Sequence, residues 1–258
     1  MYNVSAKLAI HTIRYNLKQL MERYDIMIDF HSHILPNIDD GSRGLEESLH
    51  MLQKEAKDGV TDVVVTPHYY ADRYSLDRFM ERRNKSLEAL KSHLTEEFPS
   101  IHIGAEVFYF PDMGEASMLS RLCIDDTKTL LLELPFVQWT SKMIKDVDKI
   151  LRNQQLNVIL AHIERYYEFQ KDKNAYYEML ELPVVGQINA GPLLKRSKRK
   201  LVLNLLNDGW ASVIGSDCHN MDKRPPNLLE GRKIIEHKLG AKMLEHIDSV
   251  GTQILKLE

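Results

Sequence analysis

The chain has 258 residues, a formal net charge of −3 and 43% hydrophobic residues. That is enough apolar matter for one sizeable core, and the balance of 34 Lys+Arg against 37 Asp+Glu excludes a protein built around a basic nucleic-acid or membrane-surface face. Cys123 and Cys218 lie far apart, which excludes a disulfide framework and a cysteine zinc site and suits a reducing cytoplasm.

Residues 1–26 carry Leu8, Ile13, Leu17, Leu20, Met21 and Tyr24 near one stripe, with Lys7, His11, Arg14 and Lys18 between them. This predicts an N-terminal helical extension rather than a signal peptide, set apart from a main domain over 27–258. From there, short apolar runs alternate with longer amphipathic segments. Strands are expected at 27–31, 61–68, 101–107, 129–135, 157–162, 184–189 and 211–217. Helices are expected at 45–59, 75–94, 141–155, near 173–181, and at 195–209, 228–240 and 241–248, the first ending at Gly59. Strands alternating with helices in this way predict an α/β fold with a parallel sheet, open or closed into a barrel. No run of about 18 apolar residues is present to cross a bilayer. The basic run KRSKRK at 195–200 reads as a solvated helix start.

Candidate ligand residues fall at the ends of the expected strands. The first strand leads to His31 and His33, with Asp39 and Asp40 just after; the second ends at His68, the third at Glu106, the fourth at Glu133, the fifth at His162, and the last leads to Asp217 and His219. The C-terminal ends of parallel strands share one face, where α/β barrels build their sites. Two histidines at i and i+2 of an extended chain point the same way and can reach one ion. Carboxylates crowded this closely repel one another unless cations compensate, so the set reads as a metal centre. His11, His50, His93, His102 and His237 lack such company and read as ordinary loop or surface residues.

The motifs IDFHSHILPNIDDG, TPHYY, GAEVFY, LLELP, AHIERY and GSDCHN followed by RPP resemble the polymerase-and-histidinol-phosphatase (PHP) metallohydrolases. In combination they are most similar to the bacterial metal-dependent tyrosine-protein phosphatases of capsule and exopolysaccharide synthesis. The match runs from about Met27 to Gly240. It implies a distorted (β/α)7 TIM-like barrel holding three divalent ions. By that resemblance His31, His33, Glu106 and Asp217 bind the first ion, Glu106, Glu133 and His162 the second, and Asp40, His68 and His219 the third. The oxygen-rich set favours Mn²⁺, with Fe or Zn²⁺ as alternatives. The choice of Asp40 over Asp39 rests on the resemblance alone.

Clustered divalent ions suit phosphoester hydrolysis by a metal-activated water. Arg165 and Arg224, close after His162 and His219, are candidates to hold the phosphate in a guanidinium fork, and Glu164 is expected to orient Arg165. The resemblance implies a phosphotyrosine protein substrate, a membrane-associated bacterial tyrosine kinase of capsule assembly. The alternative is a small-molecule phosphatase of the histidinol-phosphate type with the same metals. A rival lies inside the last motif: CHNMDKR, 218–224, has the C-x5-R spacing of cysteine-dependent tyrosine phosphatases. Its intervening residues hold no glycine, and Pro225 and Pro226 have no N–H to offer a phosphate.

Overall fold

Aliphatic runs bounded by polar turns make the strands, and most of their residues are buried as a helix-covered parallel sheet requires, the half-exposed run at 100–103 excepted. The computed structural model describes residues 26–257, so all but the last residue of the helical extension expected over 1–26 lies outside the described residues. The strands are β1 (Ile28–Ser32), β2 (Asp62–Val65), β3 (His68–Tyr69), β4 (Ser100–Ile103), β5 (Glu106–Phe108), β6 (Thr129–Glu133), β7 (Asn157–Leu160), β8 (Val185–Asn189) and β9 (Val213–Gly215). They form two sheets, ordered β1-β2-β4 and β3-β5-β6-β7-β8-β9, and every pairing is parallel.

Backbone hydrogen bonds carry the chain from one sheet to the other. Gly104 N–H donates to Val65 O and Glu106 N–H to Pro67 O. At the opposite seam Asp217 N–H donates to His31 O and His33 N–H to Cys218 O. The sheet therefore curls back on itself. Two expected strands are each split: 61–68 becomes β2 and β3, and 101–107 becomes β4 and β5. Pro67 has no N–H to donate to the ladder, which accounts for the break after Val65. Its consequence is functional. His68 and Glu106 do not end long strands; they open short ones, paired with each other in register.

The helices are α1 (Leu45–Lys57), α2 (Leu76–Lys91), α3 (Ser141–Arg152), α4 (Ile163–Tyr166), α5 (Lys173–Leu180), α6 (Ala190–Leu194), α7 (Arg196–Asn207), α8 (Leu228–Leu239) and α9 (Ala241–Leu255). Polar caps set two starts: Ser75 accepts from Arg78 N–H and Thr140 from Met143 N–H. α9 runs seven residues beyond the expected stop at 248, because its last turn has an apolar seat. Leu255 belongs to an inner cluster with Ile28, Phe30, Val64, Leu131, Ile159 and Val213, and Val250, Ile254 and Leu257 pack against it. These strand residues fill the floor of the curled sheet. The larger cluster lies between the sheet and the helices and includes Val63, Val65, Leu130, Leu132, Leu160 and Ile214.

Period-two alternation converts that apolar floor into a polar layer toward the strand C-termini. Leu131 is followed by Glu133, Val185 by Gln187 and Asn189, and Val213 by Gly215 and then Asp217. β1 achieves the same with an extra residue. Asp29 pairs with Val63 but Ser32 with Val65, a bulge of the kind that re-aims side chains beside sites. Ile28 and Phe30 thus reach the floor, while His31 and His33 reach the polar layer.

Candidate metal centre and phosphate site

Five histidines and four acids meet at the C-terminal ends of the strands. Among the described residues, the ligand-type atoms of His31, His33 and Asp217 lie within 4.8 Å of one another, as do those of His31, Glu106 and His162, of His68, Glu106 and Glu133, and of His33, Asp40, His68 and His219. All nine metal-ligand residues expected from the sequence are therefore in one place. Glu106 sits at the centre: Oε2 is 3.3 Å from the Nε2 of both His31 and His33, and Oε1 is 3.0 Å from His162 Nε2. His68 is 2.9 Å from Glu106 and 3.5 Å from Asp40. It bridges the two groups that the sequence reading kept apart.

The tautomers of the first pair are fixed from behind. His31 Nδ1 donates to Gln187 Oε1 at 3.2 Å, and that same oxygen accepts the His162 N–H at 2.7 Å, so it is the oxygen of the amide that faces both. His33 Nδ1 donates to Asp39 Oδ2 at 2.7 Å. In the neutral rings each Nε2 would then present a lone pair, and the two nitrogens stand 3.1 Å apart, with Glu106 and Asp217 oxygens around them. Burial opposes protonation of the His33 ring, yet Asp39 and Glu106 favour it and raise the ring well above its usual value. Facing acceptors at that separation repel unless a proton or a cation lies between them. Glu106 Oε2 and His219 Nε2 are buried with no hydrogen-bond partner among the described residues. An array of imidazole and carboxylate acceptors aimed at common points fits divalent cations.

The electrostatics agree. Burial alone would raise the Glu106 carboxyl, but His31, His68 and His162 hold it well below the ordinary carboxylate range. Asp217 behaves alike: burial raises it, and His31, His33 and Arg224 bring it down. Burial opposes protonation of His162, yet Glu106 and Glu133 lift it to about 9. Ionised acids in this pocket demand compensating positive charge, which either protons or metal ions supply.

Two ligand positions sit on unusual backbone. His162 and Asp217 have φ of 33° and 53°, the left-handed region that non-glycine residues adopt at a cost. Gln187 and Asn189 support them. Asn189 Nδ2 donates to Asp217 Oδ2 at 2.7 Å and Gln187 Nε2 to Asn189 Oδ1 at 2.8 Å. Asp29 Oδ1 accepts from His31 N–H and Ser216 N–H, tying β1 to the segment after β9. The close approach at this seam requires Gly215, where a Cβ would lie 2.5 Å from His31 Cβ.

Arg165 and Arg224 both reach Asp217. Arg224 Nη2 is 2.6 Å from Oδ1 and Arg165 Nη1 3.5 Å from Oδ2. Their side chains remain 41% and 40% exposed, so neither is a closed surface pair. Arg165 also lies over the Phe136 ring at 4.7 Å, and Phe136 faces His162. Glu164 does not orient Arg165 as expected. It is buried behind the site, where its Oε2 accepts Asn189 N–H at 3.4 Å. Arg224 is set by a tight loop in which Asn220 Oδ1 accepts the N–H groups of Asp222, Lys223 and Arg224.

That loop removes the cysteine rival. Three amides that would have to face a phosphate are taken by Asn220. Cys218 is fully buried against Asp29 and Glu55, and burial, reinforced by Glu55 and Asp29, pushes its thiol well above its usual range. It is no thiolate nucleophile.

Asp39, expected either to support a ligand or simply to form the turn, supports two: it accepts His33 Nδ1–H and His68 N–H, and also Gly41 N–H within the turn. Asp29, Gln187 and Asn189 were not anticipated at all. Of the aromatic residues near the motifs, Tyr69, Trp139 and Tyr166 are core. Tyr70, Phe108 and Phe136 line the mouth, Tyr70 lying 5.2 Å from His68 and 5.5 Å from Phe108 between ring centres. His102 is paired with Asp62 and Asp125, away from the cluster.

Comparison with known proteins agrees with this geometry. The chain is 31% identical over 226 residues, 83% of its length and 91% of the relative's, to the tyrosine-protein phosphatase CpsB of Streptococcus agalactiae serotype III. It is 26% identical over 227 residues, 84% of its own length and 87% of the relative's, to the tyrosine-protein phosphatase YwqE of Bacillus subtilis. The fold matches a solved structure from a study of YwqE of Bacillus subtilis and CpsB of Streptococcus pneumoniae, described there as metal-dependent tyrosine phosphatases. The TM-score is 0.78 at 23% identity, over 89% of this chain and 94% of that one. Residues 27–255 match the family model for capsular polysaccharide synthesis, CpsB/CapC. With that match spanning most of its length, the chain belongs to the CpsB/CapC family of capsular polysaccharide synthesis.

Proposed function

We propose that the chain is a metal-dependent protein-tyrosine phosphatase whose substrate is phosphotyrosine on a membrane-associated kinase of capsule or exopolysaccharide assembly. The observation that carries the reading is the 3.1 Å separation of two imidazole Nε2 atoms, on His31 and His33, walled by Glu106 and Asp217. Phosphotyrosine is favoured because relatives aligning over most of their length bear that activity in their names. Three ions, Mn²⁺ by preference, complete the reading: the first on His31, His33, Glu106 and Asp217, the second on Glu106, Glu133 and His162, the third on Asp40, His68 and His219. Divalent ions bound there would acidify water and neutralise phosphoryl oxygens.

The chain's own residues do the rest. Arg165 and Arg224 shift from Asp217 to the substrate dianion and fix its orientation. Gln187 and Asp39 keep the lone pairs of His31 and His33 aimed inward. Phe136, packed between Arg165 and His162, holds the guanidinium beside the cluster. A phenol leaves readily because its pKa is near 10, so no dedicated acid is required. The curled sheet is read as a distorted (β/α)7 barrel over 27–258, with 1–26 as an extension and the cytoplasm as its location. The described residues contain no helix long and apolar enough to cross a membrane.

The test is hydrolysis of a phosphotyrosine peptide by chelator-treated protein, with and without added Mn²⁺, in the native chain and in Cys218→Ser. Activity that requires the metal and is indifferent to Cys218 is expected. Activity that survives chelation and disappears in Cys218→Ser would overturn the reading.

A further inference from the structure

Beside the cluster lies an open groove of about 650 Å³ that begins at Asp40 and His68 and continues along Tyr70, Arg73, Tyr74 and Arg82. Its outer wall is a ladder of cations on aromatic faces. The Arg73 guanidinium lies 4.3 Å over the Tyr70 ring, and those of Arg82 and Arg78 lie 5.1 and 5.7 Å from the Tyr74 ring centre. Tyr70 in turn lies against His68. The ladder thus runs outward from the candidate metal centre.

Among the described residues, the charges of this wall have no ion-pair partner. Arg43, on the other side of the groove, is neutralised by Glu47 at 2.5 Å and Asp222 at 3.0 Å. Among the described residues, no carboxylate comes within 4.0 Å of Arg73, Arg78 or Arg82, although ion pairs are frequent elsewhere on the surface. Arg82 is anchored by donating to Ile38 O at 2.8 Å; Arg73 and Arg78 are exposed. Asp39 and Asp40, the acids of the groove, lie at its inner end, where they face the histidines. Guanidinium groups held on ring faces are oriented in advance and weakly hydrated, which suits them to carboxylates or phosphates of a ligand.

We infer that this groove is a specificity site for acidic residues flanking the phosphotyrosine, with Arg73 and Arg82 receiving their carboxylates while the phosphate occupies the metal cluster. The inference deepens the phosphatase reading and rests on it. A peptide is the fitting occupant because the groove is open, reaches the candidate metal cluster at Asp40 and His68, and places its oriented cations beyond that end.

The test compares two phosphotyrosine peptides of equal length, one with Asp and Glu at the flanking positions and one with Gln and Asn, using the Mn²⁺-loaded chain. A small aryl phosphate serves as the reference substrate. The acidic peptide should have the higher kcat/KM by about three- to tenfold, mostly through KM, as expected for a few exposed charge pairs. The advantage should shrink as salt is raised from about 50 to about 500 mM.

Matched peptides with a non-hydrolysable phosphonate in place of phosphotyrosine, titrated by calorimetry, should show the same ratio in Kd. Arg73→Gln with Arg82→Gln should abolish the ratio, read within each protein so that changes in overall turnover cancel. Arg82 also holds the Ile38 loop, so Arg73→Glu, at an exposed position, provides the second variant, and it should lower or reverse the preference. Equal rates and affinities for the two peptides, or a preference that persists in both variants, overturn the groove. If the aryl phosphate is hydrolysed and neither peptide is, the tyrosine-phosphatase reading has failed and the groove falls with it.

Discussion

Asp39 illustrates how much of a site can rest on one residue that touches no substrate. Its Oδ2 accepts from His33 Nδ1 at 2.7 Å and from the backbone N–H of His68 at 2.9 Å. One carboxylate thereby fixes the tautomer of one candidate ligand and the backbone of another. It is also held ionised: burial would raise it, but His33 and the amides of His68 and Gly41 bring it below its usual value. Such outer partners typically contribute about 10–100-fold in metal affinity. Asp39→Asn keeps the shape and loses the charge, so divalent binding should weaken by roughly that factor while far-UV dichroism is unchanged. Competition with a chelating dye measures it directly. Affinity within about twofold of the native chain would show that His33 does not depend on Asp39 for its orientation.

At the scale of elements, the ligand positions were legible because parallel strands end on one face, and residues from His31 to His219 could be read off as strand ends. What was not legible had physical reasons. Pro67 splits a strand without erasing its apolar pattern, so His68 reads as an end when it is a beginning. Asp29 and Gln187 lie inside strands, where no spacing marks a polar residue that will hydrogen-bond to a neighbouring strand, and Asn189, although it ends β8, carries an amide rather than an ionisable or imidazole ligand group. The partition of ligands among ions depends on distances across the sheet, and His68 lies between two groups.

The length of α9 was missed because Ser249, Gly251 and Thr252 weaken the local helical signal, while the seat for Leu255 exists only in the folded sheet. Gly251 makes that seat possible, since a Cβ there would lie 2.8 Å from the Phe30 ring. Leu255 is 7% exposed and closes the apolar floor under the polar layer. Leu255→Ala should therefore cost about 2–3 kcal/mol of stability, measured by urea unfolding. A loss below about 0.5 kcal/mol, the level of a surface substitution, would show that α9 does not seal the floor.

The whole molecule places its apolar and polar layers in series, and this gives the metal reading a consequence that needs no substrate. The candidate ligands come from β1, β3, β5, β6 and from the segments after β1, β7 and β9, so bound ions would clamp nearly the full circuit of the sheet. In the unfolded chain those residues are scattered between positions 31 and 219 and hold an ion poorly. A ligand that binds only the native state stabilises it by about 4 kcal/mol at a thousandfold excess over Kd. For a chain of this size each kcal/mol moves Tm by about 2–4 °C, so Mn²⁺ added to stripped protein should raise Tm by roughly 8–16 °C. Glu106→Gln should remove most of that rise, because Glu106 belongs to two of the ligand groups. Its own Tm in chelator should fall below that of the stripped native chain, since His31, His68 and His162 lose the carboxylate they hold ionised, so the ion-induced rise is compared within each protein. Calorimetric scans of both proteins, with and without the ion, decide it. A stripped native chain whose Tm does not respond to Mn²⁺, Fe²⁺ or Zn²⁺ would mean that protons alone hold the five imidazoles and four carboxylates together, and the metal centre would have to be abandoned.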